Sequence, residues 1–153
     1  MLSDDAFRRE LDTVVTALRG WVDANRHRAR ATEETTAHYW RLAVDPIAEG
    51  ACRFELVLRA DRLYDIVMGG ETYEDRSIDR FDLFAEILTA IGEGRVITRT
   101  WVTSGAAIPR SIETIVELPG AAFIAEHRLE PTASRVARED CVARDRHWVP
   151  YGH

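Results

Sequence analysis

The chain has no lysine and no glutamine, Asn25 is its only asparagine, and all 20 of its basic residues are arginine. Coding bias towards a GC-rich genome explains this more cheaply than function does. The absence still excludes chemistry, since no Schiff-base lysine, phosphate-loop lysine or lysine general base can operate here. Cysteine is scarce as well. Cys52 and Cys141 lie far apart in the sequence with no companion at ligand spacing, so a zinc site is not expected. Both are expected reduced, with Cys52 packed as a small hydrophobe.

No apolar run approaches the roughly 18 residues of a membrane span. The acidic start Met1-Leu2-Ser3-Asp4-Asp5 has no apolar signal core, so the expected location is cytoplasmic, with no membrane partner. A basic surplus is also missing. The net charge of −6 argues against nucleic-acid binding, which needs a positive footprint. Catalytic signatures are absent in the same way. None of the five histidines pairs at the helical i, i+4 metal spacing, and no H-E-x-x-H or C-x-x-C occurs. No G-x-S-x-G surrounds Ser104 or Ser111. Gly92-Glu93-Gly94 follows a helical pattern rather than a strand, the wrong order for a phosphate cradle. No metal and no cofactor is expected.

What is present is strong periodicity. With 46% apolar and 30% charged residues in 153, the composition is that of one globular domain. Phe7, Leu11, Val14, Leu18 and Trp21 recur at steps of four and three, widened by Val15 and Val22. They predict a helix from Ser3 to about Arg26, with Ser3 as N-cap and Asp4 and Asp5 in its first turn. Arg26, Arg28 and Arg30 are expected at its negative end. Thr32 to Thr36 reads as a polar break. A strand is expected over 38–44 and ends at Asp45-Pro46, a second helix through 31–50 being the competing reading.

From Cys52 the pattern alternates every second residue. Strands are expected to Arg59, over Leu63–Met68, over Glu71–Ser77 after the Gly69-Gly70 turn, over Arg95–Thr103, from Ile112 to Leu118 and over Ala121–Arg128. Between them Phe81, Phe84, Ile87, Leu88 and Ile91 predict a helix capped by Asp79 with Asp82. A short helix is expected over Ser134–Arg144, followed by a docked aromatic tail, Trp148-Val149-Pro150-Tyr151. The fold class is therefore α+β: a long N-terminal helix and a mainly antiparallel sheet of about five or six strands interrupted by one helix.

Three groups of residues are candidate sites. Residues 65–86 hold seven acids against Arg76 and Arg80, and Glu71, Glu74 and Asp75 are the expected contacts of a basic protein partner. Trp40, Tyr64, Arg99, Trp101 and His127 are the candidate ligand platform, with Trp101 becoming core if the first helix covers its face. Leu11, Leu18 and Trp21 form a seam that is expected either to cover the sheet or to join two copies in a homodimer. The basic knot Arg26-His27-Arg28-Ala29-Arg30 suits a phosphate or carboxylate, or simply a helix end. Together these favour a non-enzymatic protein-binding or regulatory module. The alternative is a small-molecule binder or an enzyme with its pocket between sheet and helix.

Overall fold

Ser3 opens the first element in the computed structural model, which describes residues 2–129 and 140–152. Its hydroxyl accepts from the Ala6 amide at 3.2 Å and caps α1 (Asp4–Ala24), with Asp4 and Asp5 at the positive end. The helix stops before Arg26, because Asn25 satisfies its last carbonyls. The Asn25 amide nitrogen donates to Val22 and its side chain donates to Trp21 at 2.7 Å. The arginines expected at that end follow the cap and engage its side chains rather than the last carbonyls. Arg28 donates to Asn25 Oδ1 and to the Gly152 carbonyl, and Arg26 pairs with Asp23.

Five strands follow as one antiparallel meander: β1 (Ala29–Thr35), β2 (Tyr39–Pro46), β3 (Phe54–Arg59), β4 (Leu63–Met68) and β5 (Glu71–Ser77), paired in chain order. Strand β2 settles the 31–50 segment as extended chain rather than helix. Strand β1 occupies the stretch read as a polar break. As an edge strand it is exposed along most of its length, so backbone pairing to β2 forms it without an apolar stripe. Strands β2, β3 and β4 bury alternate residues, among them Trp40, Leu42, Val44, Phe54, Leu56, Leu58, Tyr64, Ile66 and Met68. Gly69 turns the β4–β5 hairpin at φ 65°. A Cβ there would lie 2.6 Å from Thr114 Oγ1 and 2.7 Å from Thr98 Oγ1, so the site demands glycine for space as well as conformation.

The second helix, α2 (Leu83–Gly92), starts later than expected, with Asp82 rather than Asp79 at the N-cap. The Asp82 carboxylate makes no capping bond because Arg80 Nε holds it at 2.9 Å. Phe84, Ile87, Leu88, Ala90 and Ile91 are fully buried, so this helix is nearly all core.

A second sheet completes the fold: β6 (Val96–Thr103), β7 (Pro109–Leu118), β8 (Ala121–Arg128) and β9 (Cys141–His147), in the order β8-β7-β6-β9. The fold is α+β as expected, with the strands divided between a five-stranded and a four-stranded sheet. Of the helix expected over 134–144, residues 134–139 lie outside the described residues. Cys141 to Arg144 belong to β9, held by a seven-residue antiparallel register against β6. One apolar core runs through both sheets, from Leu18 and Phe54 to Val96, Val116 and Ala125.

The sheets meet at the β4–β5 hairpin. Thr98 Oγ1 donates to the Gly69 carbonyl at 2.7 Å, and the hydroxyls of Tyr73 and Thr114 lie 2.7 Å apart. His127 donates from Nε2 to the Thr72 carbonyl, which points out of the free side of β5. The tail docks as expected. Tyr151 is buried edge-on to Trp21 at 5.9 Å, and its hydroxyl donates to the Cys52 carbonyl. Trp148 Nε1 donates to Thr98 at 2.9 Å. No helix among the described residues is long and apolar enough to cross a membrane.

Candidate functional site

Helix α1 packs on the core along a wide apolar face. Phe7, Val14 and Leu18 are buried, while Leu11, Val15 and Val22 form a half-buried shoulder turned towards β1 and β2. The helix stands off from that end of the sheet and leaves a trough of about 460 Å³. Leu11 and Val15 wall it, Trp40 and Leu58 floor it, and Tyr39 and the turn at Thr36–His38 form the far rim. Its lining runs along the helix from Asp4 to Arg19, about 22 Å at the helical rise per residue. A second hollow of about 600 Å³ continues beyond Arg19, between Val22 and Arg26 on the helix and Ala29, Ala31 and Leu42 on the sheet.

A polar bar separates the two hollows. Arg19 Nε donates to both Glu33 carboxylate oxygens, at 2.9 and 3.1 Å, and Trp40 Nε1 donates to Glu33 Oε1 at 2.5 Å. The Arg19 hydrogen bond holds the Glu33 carboxyl below the ordinary carboxylate range, against the opposing effect of burial and with help from Trp40. Glu33 reaches this position because it shares the inward face of β1 with Ala29 and Ala31. With the Trp40 indole N–H already occupied, the trough floor offers mainly apolar and aromatic surface. The chain matches no protein-family model, no curated protein and no solved structure.

The residues singled out from the sequence fall in several places. Trp40 and Leu11, taken from separate groups, come together in the trough. Leu18 is wholly buried in the core of its own chain, and Trp21 packs on Gly92 and Tyr151. The five platform residues form no common surface. Tyr64 is core, edge-on to Phe84 at 4.9 Å, and His127 stacks on Tyr73 at 4.4 Å. Arg99 and Trp101 lie on the outer face of the second sheet, on the alternation opposite to buried Val96 and Val102. Arg99 grips Asp145 there through two 2.8 Å bonds.

Two arginines engage part of the acidic stretch. Arg59 reaches Asp61, Asp65 and Asp75, while Arg80 holds Asp82 and Glu86. Asp75 sits at a β-bulge with φ 56°, its amide donating to Asp65 at 2.8 Å. Its place there is structural, since aspartate tolerates that conformation better than most residues. Glu71 is part-exposed and Glu74 exposed on the same strand.

Among the described residues no group of three His, Cys, Asp or Glu side chains is placed to hold a metal ion. Cys52 is fully buried, and burial raises its thiol to about 11 despite the hydrogen bond from the Gly69 amide. That environment suppresses thiolate chemistry. Sequence reasoning missed Leu58, Tyr39 and the Arg19–Glu33 bar as site residues. The available signal was Val15 and Val22, which widen the helical seam.

Proposed function

We propose that the protein is a non-enzymatic binding module that receives an apolar segment of a partner protein in the trough beside α1. The observation that carries this reading is the trough itself, an elongated groove between a helix and its own sheet with Leu11 and Val15 on its wall and polar residues along its rims. Its volume falls within the range of small-ligand sites. Its long open form, with Arg8, Asp12, Thr36 and His38 exposed on its rims, favours a chain segment over an enclosed metabolite. A length of about 22 Å accommodates six or seven extended residues at about 3.3 Å each. Half-buried Leu11 and Val15 supply the apolar contact, and the part-exposed Tyr39 supplies an aromatic ring at the rim.

The test is selection of short random peptides displayed against the immobilised protein, repeated with Val15→Arg. Enriched peptides should share spaced apolar residues, should change the tryptophan emission and should be lost on Val15→Arg. Circular dichroism of the variant establishes that its fold persists. Enrichment of no apolar motif, or of one indifferent to Val15→Arg, would overturn the reading.

A further inference from the structure

We infer that the free edge of β1 joins two copies of this chain, with Thr32 on the two-fold axis. Among the described residues β1 pairs with β2 alone. The ladder between them is bracketed by Ile47 N donating to Arg28 O at 3.0 Å and Thr36 N donating to Tyr39 O at 2.9 Å. Antiparallel pairing alternates, so the even-numbered residues Arg30, Thr32 and Glu34 direct their backbone groups to β2. Ala31, Glu33 and Thr35 therefore direct theirs outwards. This is an ordered row of donors and acceptors of the kind that accepts another strand.

The strand's own sequence selects the partner. Outward groups must face outward groups, so a symmetric antiparallel copy can centre on Ala31, Thr32 or Glu33. Centring on Glu33 sets that carboxylate against its own copy. Centring on Ala31 sets Glu34 opposite Arg28, which is already committed to Asn25 and Gly152. Centring on Thr32 sets Ala31 opposite Glu33 for the backbone bonds, Thr32 opposite Thr32, and Arg30 opposite Glu34 on both sides of the axis. Threonine pairs and opposite charges are favourable cross-strand neighbours, and the positions without backbone bonds bring their side chains closest. Arg30 is exposed and makes no ion pair among the described residues, whereas Glu34 is held ready by the Tyr39 hydroxyl at 2.9 Å. The strand is complementary to itself in charge. Two such copies form one continuous sheet with both α1 helices on the same face, so the hollows over Ala29 and Ala31 meet across the axis. This inference stands apart from the peptide-binding reading, because it concerns the edge of the sheet and not the trough floor.

Light scattering on the full chain at tens of micromolar should give twice the 17.4 kDa of one chain. Glu34→Arg should raise the dimer dissociation constant by about ten-fold or more, and Arg30→Glu added to it should restore pairing. Ala31→Pro should give a folded monomer, since it removes only an outward N–H. In a Cys141→Ser background, Thr32→Cys should form an intermolecular disulfide on mild oxidation, because residues on the axis meet at disulfide distance. A wild-type mass of one chain would overturn the inference. So would a dimer indifferent to Ala31→Pro and to the charge exchange, or a Thr32→Cys variant that does not cross-link.

Discussion

Tyr151 tests whether the C-terminal tail is part of the folded body. Its ring is 1% exposed and meets Trp21 edge-on, its backbone amide donates to the Gly92 carbonyl at 3.0 Å, and its hydroxyl reaches the Cys52 carbonyl. It thereby ties the end of α1, the end of α2 and the entry to β3 together. Truncation to alanine removes a buried aromatic and leaves a cavity, a change that costs about 3–5 kcal/mol. Tyr151→Phe keeps the packing and removes one buried donor, at a cost of about 1–2 kcal/mol. For a chain of this size each kcal/mol moves the melting temperature by about 2–4 °C. The alanine variant should therefore melt about 6–20 °C lower and the phenylalanine variant about 2–8 °C lower. Urea unfolding followed by tryptophan emission measures both. An alanine variant within about 1 kcal/mol of the parent would refute docking of the tail. Equal costs for the two variants would show that the hydrogen bond, and not the ring, carries the contact.

Two further outcomes follow from close packing and from a buried thiol. Gly92→Ala places a Cβ 2.8 Å from Trp21 Cζ2 inside the core, and overpacking of that kind costs about 1–3 kcal/mol. Gly20→Ala, on the open side of α1 with nothing within 4 Å, should instead stabilise by about 0.5–1 kcal/mol, and urea titration of both reads the contrast directly. Cys52 has its thiol raised from 9.0 to about 11 by burial. Its contribution is therefore fully present below pH 9 and is lost as pH rises towards 11, a decline of about 3 kcal/mol. Stability measured against pH should fall over that window in the parent and stay flatter in Cys52→Ala. At pH 8 only Cys141, which is part-exposed, should react with a thiol reagent before unfolding.

The strands most legible in the sequence are those buried on one face, while the largely exposed β5 was marked by the Gly69-Gly70 turn before it. Phe54, Leu56 and Leu58 alternate with half-exposed neighbours, as do Tyr64, Ile66 and Met68, and hydropathy records that difference. Strands β1 and β9 were not legible because nearly every residue in them is exposed. Register against a neighbour forms them, and a register is a property of two segments rather than one. The cap of α2 was misplaced for a related reason, since Arg80 competes for the Asp82 side chain across a short loop. The trough was legible only in pieces. Leu11 and Trp40 each stood out by residue type, but a gap between elements depends on how far the helix stands from the sheet. No single segment encodes that distance.

The two ends of the five-stranded sheet are unequal. At β5 the second sheet already engages the Thr72 carbonyl through His127 and the Tyr73 hydroxyl through Thr114. At β1 the row of Ala31, Glu33 and Thr35 backbone groups stays accessible among the described residues. A two-fold pairing at β1 would use up that edge in both copies at once, and the joined sheet would end in β5 on either side.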